Sequence, residues 1–229
     1  MLSILIKLLG IASIALSLAL TLLFFKVYQL QRSVIILGLP IGFMFLTISY
    51  CFLGVHLLFY TVIDTFSSSL MWLRVTTQTI GFALIASSYY LSGRSQNPPK
   101  HNLLAIALWS IVSVLCVFGF LLAINPAGLA SVYTHNELFT IVNLALLSYI
   151  IFFIIRKLEA STEGVSGLIS APVAFSFIWL GQFLFFIWKL DGAGQAALIG
   201  SQITPIIGLI LLIRLYYLIS KRCYPVLDG

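Results

Sequence analysis

Long apolar stretches alternate with short polar clusters along the whole chain. Seven stretches stand out, at 4–25, 34–60, 70–92, 102–123, 137–155, 168–188 and 195–219. Each is close to the ~20 residues that a helix needs to cross a hydrocarbon core ~30 Å thick. Lipid offers the backbone no hydrogen-bond partner, so a spanning segment must satisfy its own N–H and C=O groups. The pattern therefore predicts an all-α fold, an integral membrane bundle of seven transmembrane helices forming one domain over residues 1–229. The longest connection, 124–136, is too short for an independent domain. The first stretch lacks a convincing small-residue cleavage site and is read as a retained span, not a signal peptide.

An internal repeat lies beneath this pattern. Residues 49–94 align without a gap to 176–221 at a constant offset of 127, with thirteen identities in 46 positions. They include Gly54/Gly181, Asp64/Asp191, Thr77/Thr204, Gly81/Gly208 and the doublets Tyr89-Tyr90/Tyr216-Tyr217. Leu-rich helices match by accident, but Gly, Asp, Thr and a Tyr doublet in one register are harder to obtain that way. Spans two and three thus pair with six and seven, and by position span one pairs with five, leaving span four as a connector. An odd number of spans between the copies means that both point the same way, so helices 1–3 and 5–7 form a parallel internal repeat about an axis along the membrane normal.

Composition narrows the class. Of 229 residues 61% are hydrophobic and 8% charged, with mean hydropathy +1.14, against about 25% charged in soluble domains. A soluble fold is excluded, and three cysteines cannot build a disulfide framework. The net charge of +6 is read as topology and not as a nucleic-acid footprint. Lys26, Arg32, Arg94, Lys100, Arg156, Lys157, Arg214, Lys221 and Arg222 fall on one side; Lys7, Arg74 and Lys189 fall on the other. Basic residues favour the cytoplasmic face, so the N-terminus is expected outside and the C-terminus in the cytoplasm, in the cell membrane. The tyrosine doublets then mark the inner interface, where aromatic belts sit. Cys223 after Lys221-Arg222 has the position of a palmitoylation site, or belongs to a plain basic anchor.

In helix number and 3+1+3 arrangement the chain resembles the broad transporter–opsin–receptor group of seven-helix proteins, which includes sugar facilitators of the SWEET type and microbial rhodopsins. The resemblance covers the whole chain in topology and little in motif. Rhodopsins hold retinal on a lysine in the last helix; here that helix reads Gly200-Ser201-Gln202-Ile203-Thr204-Pro205-Ile206-Ile207-Gly208, with no lysine. The Pro-Gln dipeptide of PQ-loop carriers is also missing.

Polar side chains within spans are costly and tend to face the bundle interior. Arg74, Thr77, Gln78, Gly81 and Ser88 form one stripe on the third span, with Thr77 and Gly81 near the midplane and Thr204 and Gly208 at matching depth. Such a stripe either lines a cavity or packs closely through its small residues. Pro205, at the position of Gln78 in the second copy, removes a helix bond to the Ser201 carbonyl and is a candidate hinge or a static kink. The candidate ligand-binding or cavity-lining residues are His56, Arg74, Thr77, Gln78, Asn143, Gln182, Gln202 and Thr204, all toward the outer half or midplane. Near the same surface Asp64 and Arg74, and Asp191 with Lys189 or His135, are candidate pairs on a solvated rim.

Most chemistry is disfavoured. His56 alone lies within a span, short of a haem ligand pair; Cys51 and Cys116 sit in different spans, giving no metal site. No intramembrane protease motif occurs. All six acids lie at or beyond helix ends, which argues against a proton or sodium pump. No cofactor, no catalytic residue and no nucleic-acid partner are expected, and the protein leans away from being an enzyme. Three readings remain open. The first is a receptor or sensor that binds a small ligand in the outer half and signals through a cytoplasmic or membrane protein partner. The second is an uncoupled small-solute facilitator working at the repeat interface. The third is an accessory subunit of a larger membrane complex. The bilayer is the one partner common to all.

Overall fold

A computed structural model of the chain describes residues 2–31, 34–59, 64–93, 136–159, 170–191 and 194–223. They form six helices: α1 (Leu2–Gln31), α2 (Val34–Phe59), α3 (Asp64–Gly93), α4 (Asn136–Glu159), α5 (Ser170–Asp191) and α6 (Gln195–Cys223). No strand occurs among the described residues. The expected span at 102–123 lies outside them, as do Cys116, His135 and the side chains of Asp64, Glu137, Lys189, Asp191, Lys221, Arg222 and Cys223.

Five helices, α1, α2, α4, α5 and α6, each contain a stretch long and apolar enough to cross a membrane, as a multi-pass membrane protein requires. α3 is not among them, although it has 30 residues and so is ~45 Å long. Its polar stripe lowers its hydropathy, and its position compensates: most residues from Leu70 to Leu91 are buried. A helix shielded from lipid by its neighbours need not be apolar all round. α1 is the opposite case, with Leu8, Ile11, Leu18 and Leu22 exposed as lipid-facing residues are. Asp64 and Asp191, expected just beyond their helices, are the first residue of α3 and the last of α5. The apolar pattern stops before the backbone hydrogen bonds do, because a helix can continue into the polar interface.

The main contacts close a ring: α1 on α2, α2 on α3, α3 on α4, α4 on α5, α5 on α6, and α6 back on α1. Aromatic pairs give the directions. Trp72 meets Phe139 near the starts of α3 and α4, and Tyr89 meets Phe153 near their ends, so these helices run parallel. Phe24 meets Tyr216 toward the ends of α1 and α6, which are parallel too. Phe43 in the first half of α2 stacks on Phe24, and Phe175 near the start of α5 meets Tyr89, so α2 and α5 run against the others. Both tyrosine doublets therefore lie at the same end of the bundle, whereas Gly93 and Asn136 lie at opposite ends. Leu20, Phe43, Phe82, Leu147, Phe175 and Leu209, one from each helix, belong to a single apolar core.

Glycine sets the closest approaches. A Cβ on Gly42 would stand 2.9 Å from the Gly81 carbonyl, and one on Gly81 would stand 2.9 Å from the Gly42 carbonyl, so the α2 and α3 backbones touch reciprocally. In the second half, a Cβ on Gly208 would stand 2.5 Å from the Ala174 carbonyl. Small residues allow this approach, which maximises dispersion where lipid supplies no hydrophobic drive for helix association.

Candidate functional site

Away from the tyrosine end, buried polar side chains join the apolar ones in the interior. Three contacts set the level. Ser49 Oγ donates to the Arg74 carbonyl at 2.9 Å, joining α2 to α3. The Arg74 guanidinium lies over the Phe185 ring, 4.5 Å from its centroid, joining α3 to α5. The Trp72–Phe139 contact, with centroids 6.2 Å apart, joins α3 to α4. On α6, Gly200 faces Leu184 while Thr204 and Pro205 face Gly181, so Ser201 and Gln202 stand level with Gln182. On α1, Ile14 faces Gly54, which puts the buried Ser17 near the level of Tyr50 and the buried Ser13 one turn further out.

Five of the residues singled out from sequence, Arg74, Gln78, Asn143, Gln182 and Gln202, are buried at this level. Each sits on an inward stripe whose other members are core residues. Asn143 lies on α4 between Thr140 and Leu147, Gln182 on α5 between Ile178 and Phe185, and Gln202 one turn before Pro205 on α6. The layer differs between the two aligned segments: at the offset of 127, Arg74 corresponds to Ser201 and Gln78 to Pro205.

Two members define its chemistry. Arg74 is 4% exposed, and its Nε has no hydrogen-bond partner. One terminal nitrogen stands 4.0 Å from Met71 Sδ, and Tyr50, next to Ser49 on α2, is buried as well. Phe185 covers one face of the guanidinium and supplies a cation–π contact, strongest where water is excluded. Asn143 is fully buried, and both its Nδ2 and its Oδ1 lack partners. Buried polar groups are nearly always hydrogen-bonded, so an orphaned carboxamide requires an explanation such as function or an absent partner.

The remaining candidates are arranged differently. Thr77 is half-buried and donates to the Leu73 carbonyl at 2.7 Å, while Thr204 donates to the Gly200 carbonyl at 2.9 Å. Both hydroxyls are thus returned to their own helices. Gly81 and Gly208 pack against neighbouring backbone instead of opening on a space. The Pro205 ring is seated directly against Gly181, whose missing side chain leaves the notch for it. His56 is half-buried in the last turn of α2, outside the Arg74 contacts just described.

Sequence reasoning passed over Tyr50, Trp72, Thr76, Thr140 and Phe185. Trp72 Nε1 and Thr76 Oγ1 are buried without partners. Ser49 and Ser176 are identical at the offset of 127, yet only Ser49 of the two bonds to another helix; Ser176 Oγ bonds to the Pro172 carbonyl of its own. Aromatic residues in a membrane helix carry no sequence signal that separates a ring under a guanidinium from one facing lipid.

Compared with protein-family models, with characterised proteins and with solved structures, the chain finds no match in any of the three.

Proposed function

We propose that the chain is a seven-span membrane receptor or sensor that takes a small polar ligand into the buried polar layer of its outer half and passes the signal to a protein partner. The single observation that carries this reading is Asn143, fully buried with both amide atoms unpartnered, at the level of Arg74. An unsatisfied polar group in a closed interior costs about 1–3 kcal/mol, a cost that a ligand bonding to it offsets. Below the layer the apolar core favours a site closed toward the cytoplasm, as a receptor needs and a channel does not.

Seven spans, orientation and duplication belong to the same proposal. Gly93 and Asn136 are at opposite ends of the bundle, and the apolar stretch 102–123 has the length to connect them across it. The ring of contacts maps onto itself when α1, α2 and α3 are exchanged for α4, α5 and α6, and both tyrosine doublets share one end, as a parallel repeat requires. The basic residues put that end in the cytoplasm. The facilitator reading gains no support from Thr77, Thr204, Gly81 or Gly208, which are occupied in bonds and contacts of their own helices and neighbours.

The test is ligand-dependent thermal unfolding of the intact chain in lipid nanodiscs against a library of small polar solutes, since a ligand at 100 times its Kd stabilises by about 2.7 kcal/mol. Hits that stabilise the wild type and lose their effect in Asn143→Leu support the receptor reading. Downhill flux of a solute in proteoliposomes, abolished by Thr77→Trp, overturns it in favour of the facilitator.

A further inference from the structure

We infer that the group recognised in this layer is a carboxylate, bound edge-on by the Nε side of the Arg74 guanidinium with the Asn143 carboxamide facing it; this deepens the receptor reading and rests on it. The argument begins with what Arg74 already does. Its face is taken by the Phe185 ring at 4.5 Å, which leaves bonding only in the guanidinium plane. One terminal nitrogen points to Met71 Sδ, a weak acceptor. On the Nε edge, Nε itself is buried and has no hydrogen-bond partner. That edge offers two parallel N–H donors in a fixed fork, matched by the two oxygens of a carboxylate in a bidentate pair.

The surroundings agree with an anion. The described buried polar groups at this level are carboxamides, hydroxyls and the Trp72 indole, with no second cation, and a positive charge closed off from water needs a counter-charge close by. Asn143 supplies Nδ2–H donors to a carboxylate, or its Oδ1 to a hydroxyl or amine beside it. The part of the ligand inside the layer is small, because the apolar core lies directly beneath, from Leu147 and Ile178 onward. Such a carboxylate comes from a free organic acid or from a fatty acid in the bilayer, and both present the same group to Arg74.

The experiment uses [13C]formate, the smallest carboxylate, and [13C]formamide, its neutral counterpart, with the intact chain in phosphatidylcholine nanodiscs, reading the excess transverse relaxation of each probe. Formate is expected to relax faster with the wild type and formamide not. Arg74→Lys, which keeps the charge and loses the fork, should lower the formate effect about tenfold or more, with folding checked by circular dichroism. Asn143→Leu should weaken it while leaving Arg74 in place. Displacement by benzoate alone assigns a free acid and displacement by oleate in the lipid assigns a fatty acid; either supports the inference. Equal relaxation of formate and formamide, lost in Asn143→Leu, overturns the carboxylate and leaves the receptor layer standing. Formate relaxation unchanged in Arg74→Lys, or absent from the wild type, overturns the carboxylate outright. A formate effect that arises only after Glu137→Gln or Asp191→Asn overturns it too, since Arg74 then serves an acid of this chain.

Discussion

Arg74 and Asn143 show how much one buried polar atom decides in a membrane interior. The two were legible in the sequence as polar residues within apolar spans, because polarity in lipid demands a reason. Their consequences were not legible, since a sequence does not say which atoms end without a partner. If the orphaned carboxamide serves a ligand and not the fold, Asn143→Leu should raise the stability of the empty protein by about 1–3 kcal/mol, because it replaces two unsatisfied atoms with apolar volume in a buried site. Reversible unfolding by sodium dodecyl sulfate measures this. A variant less stable than the wild type would mean that the amide holds the bundle together.

Helix pairs are governed by glycines whose roles differ despite their similar appearance in sequence. Gly54 and Gly181 are repeat mates, yet Gly181 receives the Pro205 ring while Gly54 has only Ile14 Cδ1 at 3.6 Å from a notional Cβ. Gly208 meets the Ala174 carbonyl at 2.5 Å, an atom that cannot move aside without shifting a helix. Gly208→Ala should therefore destabilise by about 1–3 kcal/mol through overpacking. Gly54→Ala should be neutral or stabilising by up to about 1 kcal/mol, because alanine restricts the unfolded chain and fits the space. Thermal unfolding of the two variants side by side checks the pair, and equal losses would contradict the assigned contacts. The stripe containing Thr77 and Gly81 could be read from sequence either as a cavity wall or as a packing face. Periodicity identifies a face and says nothing of what touches it, and here Gly42 and Leu46 do.

At the scale of the molecule, six described helices form a ring whose directions follow from a few aromatic pairs. The parallel course of α3 and α4, neighbours in that ring and separated by residues 94–135, agrees with one further crossing between them. Reporter fusions test the complete topology: alkaline phosphatase should be active after His135 and silent after Arg94, and a fluorescent protein should mature after Gly229. Activity at both internal sites would contradict the seventh span, and an inverted pattern would contradict the orientation inferred from Lys and Arg.

The apolar stretches alone determined that this chain is helical and belongs in a membrane, because length and hydropathy control which backbone can leave water. Five helices carry that signal directly. The repeat register and the polar positions were also written there, since identities and side-chain polarity are local properties. Tertiary structure alone decided that α3, the most polar of the six, is sheltered by its neighbours, that Phe185 lies under Arg74, and that the Asn143 amide is left without a partner. Those are relations between separate segments of the chain, and they exist only once packing has chosen which faces meet.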